Sequence, residues 1–248
     1  MRYILMISTL FGGQLRAEVR TVPLVNPVEA AGAREMVTLL KTVAEIPAAS
    51  VDGGGLRVEG NEEQLARAEW LTHELDRPAD WRPSEQEREN PATRDYQGQM
   101  RVYFLENTPA PPSTQETLTI LRTVMDTQYV FSYSRLHAIV LRGPRVQLEG
   151  VEWLLRQIDV AAGPARVDSQ PYRYPPSPGT GDTLAVFALP DGLAPRRTQE
   201  LLTTMRSRPL SIAKVFNRTI PPALVMRATA AQVDQAAQLV EAVRKPAQ

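Results

Sequence analysis

The chain has no cysteine, which excludes disulfides, thiol catalysis and cysteine-ligated metal sites together. Histidine is almost as scarce. Its two copies, His73 and His137, stand far apart and lack the i, i+4 partner that a zinc-binding H-E-x-x-H helix requires. No G-x-S-x-G elbow is present, and no glycine-rich loop ends in Lys-Ser/Thr. Charge of one sign is missing too: 28 basic residues balance 28 acidic ones, against the basic excess of a general nucleic-acid binder. No stretch approaches the ~18 apolar residues of a membrane-spanning helix. Carboxylates are plentiful but spread along polar helix faces, where solvation accounts for them. These absences predict a protein that is not an enzyme and holds no cofactor or metal.

What the sequence does contain is repetition, and repetition is read before any local motif. The segments VRTVPL, MRVYFL and LAVFAL each open a unit of about 60 residues. From Leu24 to Glu35, Leu105 to Glu116 and Leu189 to Glu200 the spacing is 11 positions each time. From Gly60 to Asp76, Gly143 to Asp159 and Ala228 to Arg244 it is 16. Gln64, Gln147 and Gln232 recur in the same way. Recurrence at fixed offsets marks a shared fold before it marks a site.

Each unit predicts the order strand, helix, strand, strand, helix. The opening runs 19–25, 100–105 and 184–189 are short and rich in Val, Tyr and Phe, as strands are. The first helix shows apolar residues at helical spacing: Met36, Leu40 and Val43; Leu118, Leu121 and Met125; Leu201, Leu202 and Met205. Ser113 or Thr114, ahead of Glu116, is the expected cap of the second of these. Hairpins follow at 129–133 with 138–142 and at 211–216 with 223–227. In the first unit the hairpin shrinks to 49–51 and 56–59 around Gly53-Gly54-Gly55, a turn needing positive φ rather than a phosphate loop. The closing helix carries one apolar stripe: Leu65, Ala68 and Leu75; Leu148, Val151 and Ile158; Val233, Ala236 and Val240. The fold class expected is therefore α+β: three βαββα repeats, each a three-stranded sheet with two helices on one face.

Residues 1–17 read as an export signal, with Arg2, the apolar run 3–11 and a small residue at Ala17. The units then occupy 18–77, 99–160 and 184–246. The linker 78–98 is charged, with Trp81 and Tyr96 able to pin it to a neighbouring unit. The linker 161–183 is proline-rich, which predicts an extended segment poor in regular structure, and the two linkers together predict units strung as separate beads on semi-stiff connectors. Residues 18–77 hold 6 basic and 11 acidic residues, 99–160 hold 6 and 6, and 184–248 hold 9 and 4, a gradient of −5, 0 and +5. Opposite ends of that kind can associate.

The passage Ala138-Ile-Val-Leu-Arg-Gly, followed by LEGVEWLLRQID, resembles the periplasmic N-domains of bacterial secretins. So do Val215-Phe-Asn-Arg-Thr and Leu224-Val-Met-Arg-Ala in the third unit. The likeness covers all three repeats and is mainly a fold signature. It implies a three-stranded sheet with two helices on one face, and domains that stack into rings beneath an outer-membrane pore or bind secretion and pilus components. The 248 residues leave no room for the pore-forming domain itself. The resemblance thus implies a periplasmic or secreted protein that binds protein partners or itself, without nucleic acid and with no membrane span in the mature chain. Trp70 and Trp153, at one repeat position, and Trp81 in the first linker are the candidate partner contacts. The alternative is a small-molecule or peptidoglycan binder with a cleft lined by Trp81, Tyr172 and Tyr174.

Overall fold

The computed structural model describes residues 17–78, 80–84, 92–94, 99–108, 111–161, 163, 168–174 and 182–245. The expected signal lies outside the described residues except for Ala17, and Tyr96 lies outside them as well. The first unit runs β1 (Glu18–Pro23), α1 (Ala30–Thr42), β2 (Ala48–Asp52), β3 (Gly55–Gly60) and α2 (Glu62–Leu75). The second has β4 (Ala92–Arg94), β5 (Gln99–Phe104), α3 (Pro111–Val124), β6 (Tyr129–Tyr133), β7 (Ala138–Gly143) and α4 (Arg145–Ile158). The third has β8 (Tyr172–Arg173), β9 (Thr183–Ala188), α5 (Pro195–Arg206), β10 (Lys214–Arg218), β11 (Ala223–Ala228) and α6 (Ala230–Arg244).

The predicted βαββα order holds in all three units, and every strand pairing is antiparallel. The sheets run β1-β3-β2, β4-β5-β7-β6 and β8-β9-β11-β10. The last two have a fourth strand because each linker, including the second, expected to be poor in regular structure, lays a short strand along the outer edge of the unit that follows it.

Local chemistry sets the turns. Gly53 (φ +56°) and Gly54 (φ +100°) make the tight hairpin of the first unit, a backbone that disfavours side chains. The second hairpin is wider, with a 3₁₀ turn at Ser134–Leu136 closed by His137 at φ 49°. Helix α3 starts at Pro111, where a missing N–H costs nothing, so Ser113 and Thr114 sit inside the helix and do not cap it. Asn61 with Gln64 and Thr229 with Gln232 form reciprocal capping boxes at the starts of α2 and α6.

The recurring glutamine has a second task. After the first helix of each unit one non-glycine residue takes a left-handed backbone: Glu45 (φ 53°), Asp126 (φ 56°) and Ser211 (φ 51°). Such a residue costs roughly 1–2 kcal/mol and needs outside support. The glutamine amide supplies it, donating to Glu45 O (3.0 Å), to Met125 O (2.8 Å) and to Leu210 O (2.7 Å). The acid closing each of the first two units is also explained. Asp76 accepts from the backbone of Val25 and Asn26, and Asp159 from that of Glu106 and Asn107, fastening the turn after the first strand.

The units are not beads. One apolar cluster joins the core of the first unit (Met36, Leu40, Leu56, Leu65, Leu71) to Met100, Val102, Phe104, Tyr133, Ala138 and Val140 of the second. Another joins the second unit's own core (Leu121, Val130, Leu141, Leu148, Leu154) to Leu184, Val186, Ala223 and Val225 of the third. Alternate residues of one strand enter different clusters: Val102 and Phe104 the first, Tyr103 and Leu105 the second. The sheets of the second and third units are therefore buried on both faces, by their own helices and by those of the preceding unit. Tethering through about 20 linker residues costs only a few kcal/mol of closure entropy. Each large side chain buried at a junction returns roughly 1.5–3 kcal/mol. Packing wins, and the expectation of separate beads is overturned.

Candidate interaction surfaces

The recurring glutamates predicted to be fold markers join one unit to the next. Glu35 on α1 accepts the backbone N–H of Ser134, 2.9 Å away, at the residue that follows β6. Glu116 on α3 does the same for Thr219, which follows β10, at 3.0 Å, and also accepts its hydroxyl at 2.6 Å. Glu200 on α5 stands at the third equivalent position, where its partner is Arg196 on its own helix, 2.9 Å away.

A second recurring link is an ion pair. Glu45 meets Arg142 at 2.8 Å across the first junction, and Asp126 meets Arg227 at 2.9 Å across the second. Both acids are the left-handed residues anchored by glutamine, so the supported loop also aims a charge at the next sheet. Lys214 adds a second cation to Asp126, and Asp182 a second anion to Arg227 (3.1 Å). The arginine side chains lie over Tyr129 (4.1 Å) and Tyr174 (5.3 Å). The sequence pattern missed these pairs, although Glu45 and Asp126 both stand ten positions beyond the recurring glutamate.

The residue ending the second strand of a unit reaches back onto the preceding helix. Tyr133 lies over Gly32, where a Cβ would stand 3.5 Å from its hydroxyl. Arg218 is 1% exposed and donates to Thr117 Oγ1 (2.9 Å), Thr108 Oγ1 (3.0 Å) and Ile220 O (2.9 Å). These three acceptors offset part of the cost of burying the cation. Burial raises the phenol pKa of Tyr133 and, more strongly, of Tyr103, whose hydroxyl donates to Leu148 O.

The tryptophans fall in three places. Trp70 is half-buried against the first cluster, and Trp153, its counterpart on α4, stacks on Tyr172 of the linker strand with centroids 5.3 Å apart. Trp81 packs edge-on against Phe104 at 4.7 Å under the guanidinium of Arg77, so it pins the first linker to the second sheet. Trp81 belongs to the first cluster and Tyr172 and Tyr174 to the second, so these rings do not line one cleft. A groove of ≈ 470 Å³ opens at the second junction between Asp126, Tyr129, Arg142, Gln147, Tyr174 and Arg227. Its charged groups are largely engaged with one another. His73 is exposed on α2, and among the described residues no cluster of three His, Cys, Asp or Glu could hold a metal.

The strand edges differ from unit to unit. Linker strands cover β5 at Met100–Val102 and β9 at Thr183 and Leu184, while β1 has no such cover among the described residues. On the opposite edge, Arg122 donates to Val130 O of β6 (3.1 Å) and Arg206 to Val215 O of β10 (2.9 Å). These arginines occupy carbonyls that an added strand would use. The equivalent residue in the first unit is Lys41, and β2 carries no such bond among the described residues.

Among the described residues no helix is long and apolar enough to cross a membrane. No protein-family model and no curated protein matches the sequence. The chain is structurally similar to the N-terminal domains of secretins. With the pilotin–secretin AspS–GspD complex of ETEC it shares 13% identity over 94% of this chain and 38% of that one, at a TM-score of 0.22. With Aeromonas hydrophila ExeD the identity is 15% over 93% and 41%, at 0.22. With a dimeric mutant of the N-terminal domain of the secretin XcpQ from Pseudomonas aeruginosa it is 14% over 89% and 79%, at 0.30. The chain thus spans about two fifths of the length of these GspD and ExeD chains.

Proposed function

We propose that the chain is a non-enzymatic envelope protein whose three secretin-N-like units form one stiff docking scaffold in a secretion or pilus system, exported by its N-terminal signal. The observation that carries this reading is the fate of the recurring polar residues. Glu35, Glu116, Gln64, Gln147, Gln232, Asp76 and Asp159 are all spent on turns and junctions. A catalytic site repeated with the fold would have kept such groups free and convergent. They maintain register along a stack, which is what a scaffold needs. The first unit is the end best suited to partners, because among the described residues no further strand pairs with either edge of its sheet and its Trp70 is half-exposed. Trp153 and Trp81 contribute to partner contact through whatever surface Tyr172 and Phe104 leave uncovered.

Deletion of the gene, with complementation, tests the reading directly. Loss of protein secretion or of surface pili, restored by the wild-type chain and less well by Trp70→Ala, is the expected result. Normal secretion and piliation, together with a periplasm-dependent reporter that stays inactive when fused to residues 1–17, would remove it. The small-molecule alternative predicts a clear thermal shift with muropeptides or another defined ligand, and the docking reading predicts none.

A further inference from the structure

The free ends of the stack carry matched polar replacements for a contact that is made twice inside it. Three positions define that contact. The residue ending the second strand (Tyr133, Arg218) lies on the preceding helix, the residue after it (Ser134, Thr219) gives its amide to a glutamate, and an arginine (Arg142, Arg227) meets an acid. On the outward sheet face of the first unit these positions are Asp52, Gly53 and Glu59, all exposed. Thr21, Ser50 and Arg57 there replace the apolar Val102, Phe131 and Val140 of the second unit.

On the helix layer of the third unit the substitutions run the other way. Arg197 stands three positions before Glu200, where Gly32 and Ser113 precede Glu35 and Glu116. Exposed Thr204 replaces the buried Leu39 and Ile120. Ser211 holds the place of the acids Glu45 and Asp126, and exposed Arg208 lies three positions before it. Asp52, Glu59, Arg197 and Arg208 have no ion-pair partner among the described residues.

We propose that the outward sheet face of the first unit in one copy seats on the helix layer of the third unit in a second copy, in the register of the internal junctions. Asp52 then faces Arg197, Glu200 takes the amide of Gly53, and Glu59 faces Arg208, with Arg57 the like-charged exception on the sheet side. An acid replaces an arginine on one surface and cations appear on the other, which is charge complementarity and not simple capping. The contact is heterologous, so it repeats from copy to copy as an open row or a closed ring. It rests on the self-association side of the proposed function and names its surface.

Sedimentation velocity of the purified full chain at about 20 mM and about 0.5 M salt tests it, since exposed charge pairs are screened. Concentration-dependent oligomers are expected at low salt and monomers at high salt. Asp52→Arg and Arg197→Asp should each weaken self-association by about tenfold or more. An equimolar mixture of the two should restore it, because Arg at 52 then meets Asp at 197. A monomer at low salt, or variants that associate like the wild type, would overturn the inference. Gene deletion would still report on the scaffold role by itself.

Discussion

The first unit and the two that follow share a fold and differ in what their sheets face. In the second and third units the strand residues alternate between two apolar clusters, so Met100, Val102 and Phe104 are as buried as Tyr103 and Leu105. In the first, Val22 faces the core while Thr21 and Pro23 lie exposed. The difference teaches that the repeat is a building rule with a direction. Each helix layer is made to receive a sheet, and only a sheet with a second apolar face can be received by packing.

The largest effect should come from placing the same charge on both sides of that comparison. Val102→Asp buries a carboxylate between two units and should cost about 4 kcal/mol or more, measured by urea unfolding. Thr21→Asp, at the matching position in the first unit, should change stability by less than about 0.5 kcal/mol. Equal losses would mean that the first sheet is also covered. Next comes Arg218→Ala, which empties a buried site and removes the donor that the Thr117 and Thr108 hydroxyls accept from. A loss of about 3 kcal/mol is expected, and a loss below about 1 kcal/mol would show the second junction to be loose.

Smaller again is the contrast between the recurring glutamates. Glu116→Ala removes a charge-assisted bond to two donors of Thr219 and should cost about 1.5 kcal/mol. Glu200→Ala loses only a surface helix pair and should cost about 0.3 kcal/mol in the monomer at high salt. The smallest difference is alkaline. Tyr103 occupies the place of Val22, and burial lifts its phenol above the ordinary value near 10. A raised pKa stabilises below the unfolded value and is lost as pH climbs toward the folded one. Wild type should therefore lose stability above pH ~10 more steeply than Tyr103→Phe, as followed by unfolding midpoints against pH.

Much of this was legible in the residues. Period, element order and hairpins followed from spacing, because side chains must repeat at 2 and 3.6 positions to bury one face. The stacking was legible as well but was not drawn from the pattern. VRTVPL is interrupted by the polar pair Arg20-Thr21, as a strand with a wet face can be, whereas VYFL and LAVFAL are continuously apolar, as strands covered on both faces are. Proline-rich linkers read as spacers because two- or three-residue edge strands such as β4 and β8 leave almost no periodic trace. Trp81 was legible as an anchor, but Phe104 as its partner was not, since that contact depends on how two units meet.

The doubly covered sheet has a consequence for dissecting the protein. A fragment starting at residue 99 would bare Met100, Val102, Phe104, Ala138 and Val140 on one plate and should be prone to aggregate. Each truncation point between units cuts through a shared interior, so the shortest well-behaved piece that contains the second unit must also contain the first.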